Sequence, residues 1–312
     1  MPKKDLTCLV LSGGGSKIVA TIGAMCHLQI HRPNYLQKLK RVVGTSAGAI
    51  VALLLCCRYT VSELQFLLDD LDMSQFISID LSFLLQPKIL GLDSGTRYMQ
   101  WMAERMIEKH ISPSVTLRQL EEKTGMKLIT ITTDVNSRGV YCYSPDAEPN
   151  YPAIWAVRAS IGIPILFRPV IHDDRCLIDG GVLCAFAFDL LLNLVAKNEV
   201  IFGICLDEPN PFGKDNNAEA ALNEDVGTHE GHRTPKNIYE MFCACLSMMT
   251  PPPYVARLGK KATSKNTVRV GRHSILHIPL SKYYNVIAAP KSQQDELFDE
   301  GWNAVADVVS GS

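Results

Sequence analysis

The chain has 312 residues, 47% of them hydrophobic and 20% charged, a globular composition with enough apolar side chains for a sizeable core. A formal net charge of −1 leaves no global basic field, so nucleic acid is not an expected partner. No apolar run approaches the roughly 20 residues that span a bilayer.

The N-terminal MPKKDLTCLVLSGGG starts basic, but its apolar run covers only Leu6 to Leu11. That is too short for the core of a signal peptide. A cytoplasmic protein, soluble or peripheral at membranes, is expected. Thr7 to Leu11 reads as a buried strand, broken by Gly13, Gly14 and Gly15. Helical spacing follows from Ser16 to Ile30, then a strand over Arg41 to Val43 and a helix ending near Arg58. Thr60 with Glu63 forms a capping box for a helix over Val61 to Leu71. Helices are predicted over Ser94 to His110, Tyr151 to Ser160 and Phe186 to Ala196. Strands are predicted at Lys127 to Thr133, Val140 to Tyr143, Arg175 to Ile178 and Val200 to Leu206. The polar stretch from Asp207 to Asn237 reads as a long surface loop. A helix over Ile238 to Met249, a triple-proline break, a strand over Ile275 to Leu280 and a helix over Ser292 to Val309 complete the chain. Alternating strands and helices predict an α/β fold: three layers, with a mostly parallel central sheet and helices on both faces. One domain over residues 1–312 is expected.

The stretch VVGTSAGAI places Ser46 between Gly44 and Gly48, directly after a β-branched run. Two readings stand side by side. One is a nucleophile on a strained strand-to-helix turn, where glycines admit close backbone. The other is a tight turn ending in an N-cap serine. In LSGGGSK, three glycines between a strand and a helix expose several N–H groups at a helix N-terminus, a natural anion site. A phosphate loop would need GxxxxGK[ST]; a dinucleotide loop would need glycine where Ile18 stands. An oxyanion hole beside Ser46 is the favoured use. Lys17 either adds positive charge there or is solvated. In LIDGGV, Asp179 ends an apolar strand and Gly180 and Gly181 follow, either as a site at the carboxyl edge of a sheet or as an ordinary turn.

A Ser–acid–His order would need a late histidine. His229 and His232 lie in the polar loop, His277 lies in the alternating ILHIP strand, His172 precedes the acid, and His273 remains. None is well placed, so a Ser–Asp pair carries weight, with burial raising the carboxylate toward neutrality. The ten cysteines include no CxxC pair, and no metal site is expected. They read as reduced, buried side chains.

GGGSK, GTSAG, VRASIGIPILFRPV and DGG stand in this order from Leu9 to Val182. Together they resemble the patatin-like phospholipase family: a glycine-rich loop with a basic residue, a GxSxG turn, an A-[ST]-x-A-x-P-x-x-F-x-P stretch and a DG[AG] acid. DELFDEGWNAVADV is similar to the family's closing helix. The resemblance implies lipid acyl-ester hydrolysis without metal or cofactor. It implies Ser46 as nucleophile, Asp179 as base and Gly13, Gly14 and Gly15 as the oxyanion loop, with Lys17, Gly44, Gly48, Gly180 and Gly181 supporting. Phospholipid or another lipid ester is the implied substrate. Two positions depart from the pattern: Ile18 replaces a usual glycine, and Arg168 replaces a usual proline. A non-lipid serine esterase or peptidase, a lipid-binding member of the fold, and a phosphate binder using GGGSK are the alternatives. Phe83 to Leu92 and Met241 to Leu258 are apolar stretches that read either as interfacial flaps or as buried connectors.

Overall fold

The strand CLVL, β1 (Cys8–Leu11), is buried on both faces, as a continuous apolar run requires. Leu9 and Leu11 point into the layer built by α1 (Ile18–His31) and α2 (Ala47–Cys56). Cys8 and Val10 point into the opposite layer, against Phe186 and α7 (Phe188–Leu192). The two-residue period of a strand thus sorts one tetrapeptide into two cores. The computed structural model describes residues 6–69, 73–78, 90–192, 199–207, 235, 236, 245, 262–264, 267–270, 273–282 and 289–310.

Beside β1 run β2 (Arg41–Thr45) and β9 (Ile201–Asp207), both parallel to it. Next to β2 comes β4 (Lys127–Asp134), and next to β9 comes β12 (His273–Pro279), again parallel. Antiparallel strands flank this core. β10 (Ala262–Ser264) and β11 (Thr267–Val270) extend it beyond β12. β5 (Gly139–Tyr143), β7 (Val170–His172) and β8 (Arg175–Asp179) extend it at β4. Among the described residues the sheet has ten strands, mixed rather than mostly parallel. Helices cover both sides, as expected.

The register around β4 sets up everything that follows. β2 pairs with residues 127–131 of β4 and ends with Thr45 opposite Ile131. β8 runs the other way along residues 132–134 and ends with Asp179 opposite Thr132. β5 holds the far side of β4 over residues 130–134, so β2 and β8 share the near side. Their carboxyl ends therefore meet nose to nose. The sequence expectation was of loops side by side at a parallel edge; β8 is antiparallel, and the meeting is end-on.

Several elements lack the length to show a period in sequence: α5 (Leu117–Thr124) and the parallel pair β3 (Gly91–Asp93) and β6 (Ile165–Phe167). α3 (Val61–Asp69), α4 (Thr96–Glu108) and α6 (Ala153–Ser160) lie within the predicted helices. The C-terminal α8 (Lys291–Ser310) packs on α1. A Cβ on Gly301 would lie 1.7 Å from the Ala20 carbonyl oxygen, so glycine is what lets these backbones touch. Seven of the nine described cysteines are buried, as small apolar side chains would be. Most of the predicted 207–237 loop, of the 238–249 helix, and of the two apolar stretches at 83–92 and 241–258 lies outside the described residues. Among the described residues no helix is long and apolar enough to cross a membrane.

Candidate active site

β2 hands over to α2 within one residue. Ser46 makes the turn at φ 52° and ψ −125°, a backbone conformation that L-residues avoid at a cost of about 1–3 kcal/mol. The flanking glycines make the turn possible. A Cβ on Gly44 would lie 2.3 Å from the Gly48 carbonyl oxygen, and one on Gly48 2.6 Å from the Ser12 carbonyl oxygen. The strained residue is clamped: its N–H donates to Ser160 Oγ at 2.9 Å, and Ser160 Oγ donates to the Ile131 carbonyl at 2.6 Å.

From this turn Ser46 Oγ donates to Asp179 Oδ2 at 2.6 Å. The other carboxylate oxygen accepts the Gly181 N–H at 2.7 Å, and the Asp179 N–H donates to the Gly162 carbonyl at 2.9 Å. Gly180 fits under β4, where a Cβ would lie 2.3 Å from the Ile131 carbonyl oxygen. Ser46 and Asp179 are 8% and 6% exposed, so the carboxylate is largely removed from water. Burial pushes its pKa from 3.8 up to about 6, with the hydrogen bonds from Ser46 and Gly181 holding it back. It is therefore mostly ionised at pH 7 yet close to its protonation point, the condition for a general base.

The glycine loop lies against the same turn. A Cβ on Gly13 would lie 3.2 Å from Ser46 Cβ. The Gly13 N–H is committed to the Ala185 carbonyl at 2.8 Å. The donors left on this loop are Gly14 and Gly15, whose N–H groups bond no acceptor among the described residues. Gly15 opens a short 3-10 turn over Gly15–Lys17 at φ 57°. Ala47, at the first position of α2, has no intrahelical N–H partner either and faces the same space. Lys17 is 1% exposed, so the solvated reading of that side chain does not hold.

Above Ser46 opens a cleft with Gly15, Ser46 and Ala47 at one end. Its walls are apolar: Ile50, Ile77, Tyr98, Ile161, Leu166 and Phe167. Such a lining suits an apolar ligand chain with few polar anchors.

A family profile for patatin-like phospholipase matches residues 9–192, more than half of the chain. The chain belongs to the patatin-like phospholipase family. It is 29% identical over 185 residues to the probable lipid hydrolase 463L of Invertebrate iridescent virus 6, covering 59% of this chain and 62% of that protein. It is 30% identical over 195 residues to the uncharacterized protein YqhO of Bacillus subtilis, covering 57% and 64%. This patatin-like chain thus spans less than two thirds of the length of either relative. Among solved structures, VipD from Legionella pneumophila superimposes with a TM-score of 0.56 at 15% identity, over 99% of this chain and 68% of that one, a likeness of fold.

Both departures from the patatin-like pattern have local reasons. Ile18 sits at φ −56° and ψ −21°, ordinary helical backbone, and its side chain is 3% exposed in the core. No glycine is needed there. The Arg168 N–H donates to the Asp93 carbonyl at 2.8 Å, a bond that extends the β3–β6 pair and that proline could not make.

The patatin-like site also holds residues that sequence reasoning did not single out. Ser160 clamps the turn, and its signal was a hydroxyl in the otherwise apolar ASIGIP. Arg158 is 2% exposed, and burial lowers its pKa from 12.5 to about 10, so it stays charged. It donates from Nη2 to the Ser94 and Arg168 carbonyls at 3.0 and 2.8 Å and lies over Phe167 at 5.3 Å. Asp93, equally buried, accepts the N–H groups of Ser78 and Gly95. Together these two charges tie down the segments that carry Ile77, Tyr98 and Phe167, the cleft wall. The signal for Arg158 was a lone charge in the apolar AIWAVRAS.

No described histidine hydrogen-bonds Ser46 or Asp179. His172 Nδ1 pairs with the Tyr143 hydroxyl at 2.9 Å, His273 Nδ1 accepts the Ile201 N–H at 3.0 Å, and His277 Nδ1 lies 2.8 Å from Asp207 Oδ2. His229 and His232 lie outside the described residues.

Proposed function

We propose that the chain is a lipid acyl hydrolase of phospholipase A type, working through a Ser46–Asp179 dyad at the membrane surface. The observation that carries this reading is the 2.6 Å Ser46 Oγ to Asp179 Oδ2 hydrogen bond at the floor of an apolar cleft. Family membership and the relative named as a probable lipid hydrolase support the class of reaction.

Asp179 takes the Ser46 proton as Oγ attacks the acyl carbonyl. The tetrahedral oxyanion is held by the N–H groups of Gly14 and Gly15, with Ala47 as a further donor. One such donor is typically worth about 2.7–4 kcal/mol. Asp179 then gives the proton to the departing alcohol oxygen and leaves an acyl-Ser46 ester. Water attacks that ester, Asp179 takes the water proton, and the fatty acid departs as Ser46 recovers its hydrogen. The cleft wall carries the acyl chain. No step calls for a metal ion or cofactor. An apolar wall favours long acyl chains over the peptide or short ester of the rival reading.

The test is to incubate the protein with mixed phospholipid vesicles and identify products by mass spectrometry. Free fatty acid and lysophospholipid are expected, and neither from Ser46→Ala. Cleavage of short soluble esters or peptides with no acyl release from any lipid would overturn the lipid assignment.

A further inference from the structure

Cys205 and Asp207 stand two residues apart on β9 and so share a face, and His277 pairs with Cys205 across the parallel register to β12. One sulfur, one imidazole nitrogen and one carboxylate oxygen from these residues lie within 4.8 Å of one another. Cys205 Sγ is 3.7 Å from Asp207 Oδ1, and His277 Nδ1 is 2.8 Å from Asp207 Oδ2. With bond lengths near 2.0–2.3 Å, sulfur and oxygen on a tetrahedral zinc stand about 3.5 Å apart and nitrogen and oxygen about 3.3 Å. The spacing of sulfur to Oδ1 is close to this, and the imidazole nitrogen, which lies against the other carboxylate oxygen, needs to move off it by roughly half an ångström. Chain spacing hid this set, because 70 residues separate Asp207 from His277.

We propose that Cys205, Asp207 and His277 form a binding site for a thiophilic divalent cation, Zn²⁺ in chemical class. A thiolate, an imidazole and a carboxylate together select such an ion over magnesium or calcium, which take oxygen ligands. Thiolate and carboxylate cancel the dication, so the loaded site is neutral. On binding, the Cys205 proton leaves to solvent and the metal takes its place on sulfur. Cys205 is buried while Asp207 and His277 are partly exposed, so the ion has an approach from one side. Between two of the ligands, the Leu206 N–H donates to Ser12 Oγ at 3.1 Å. A Cβ on Gly14 would lie 2.6 Å from Leu206 Cδ1. A bound ion would therefore brace the strand on which the glycine loop rests. The binding claim stands apart from the hydrolase reading.

The experiment titrates the full chain, stripped of metal, with Co²⁺ and then Zn²⁺. One Co²⁺ per chain is expected, with a near-ultraviolet thiolate charge-transfer band and tetrahedral visible bands that Zn²⁺ bleaches. Cys205→Ser should lose the charge-transfer band. His277→Gln and Asp207→Asn should each weaken Zn²⁺ binding at least tenfold, as calorimetry reads it. Cys184→Ser, at a different buried cysteine, should leave the band in place. Saturating Co²⁺ without a thiolate band, or Zn²⁺ affinity unchanged in His277→Gln and Asp207→Asn, overturns the site. The two partly exposed variants keep the test decisive if Cys205→Ser fails to fold.

Discussion

Ser46 and Asp179 hydrogen-bond at 2.6 Å because the strands that deliver them stop at adjacent positions of β4, Thr45 opposite Ile131 and Asp179 opposite Thr132. One strand arrives parallel and the other antiparallel. Neither side chain depends on a long loop for its approach, since Asp179 is the last residue of β8 and Ser46 directly follows the last residue of β2. In the proposed dyad, preorganisation of this kind would stand in for a third group that orients the base.

Asp179→Asn should lower turnover by roughly 10²–10⁴-fold, since an amide cannot take the serine proton. Ser46→Ala should abolish both turnover and labelling by a fluorophosphonate probe. Glutamine at His172, His229, His232, His273 or His277, one at a time, should cost far less. A histidine variant as damaging as Asp179→Asn, in a protein that still melts cooperatively, would replace the dyad with a triad.

The pH profile carries the signature of the buried carboxylate. With its pKa near 6, kcat/KM on a soluble ester should rise with pH and level off above about 7. Stability should move the opposite way. The folded state binds the Asp179 proton more tightly than the unfolded chain does, so stability falls as pH rises from about 4 to about 6. The shift from 3.8 to about 6 corresponds to about 3 kcal/mol of destabilisation at neutral pH. Asp179→Asn should therefore melt no lower than the parent at pH 7.5 and lose its advantage at pH 4. Calorimetric melts across that range check it; a variant less stable at both ends would refute the buried-charge account.

Ser160→Ala should leave the Ser46 N–H buried without an acceptor, at about 1–3 kcal/mol. Because that bond clamps the strained turn, kcat should fall while KM for a soluble ester changes little. Ser160→Thr keeps the hydroxyl and should recover most of the rate. Denaturant unfolding and steady-state kinetics on the pair separate this from a simple packing defect, in which threonine would not rescue.

Restoring the family glycine at Ile18 should not raise activity. Ile18 is helical and buried, so Ile18→Gly removes core packing, at about 2–5 kcal/mol for truncation of a large aliphatic side chain, plus the helix cost of glycine. A lower melting temperature with kcat no higher than the parent is the expected result. A faster enzyme would mean that the isoleucine obstructs the oxyanion loop.

Local chemistry was legible in the chain itself. Continuous apolar runs announced β1 and β9; glycine punctuation announced the turns at Gly13 and Gly44; and the order of four motifs brought Ser46 and Asp179 forward and pointed to the family. These signals survive in sequence because strand burial, turn geometry and close backbone approach act over a few neighbouring residues. The direction of β8 did not follow from them, since pairing partners are chosen by packing across the whole sheet. β3 and β6 are three residues each, too short to show a period, yet they shape the cleft wall. Ser160 as a clamp, Arg158 as a buried brace and the trio of Cys205, Asp207 and His277 acquire meaning only from neighbours tens of residues away. The raised pKa of Asp179 is of the same kind. Desolvation raises it against two hydrogen bonds that hold it back, and burial sums over every element packed around a site.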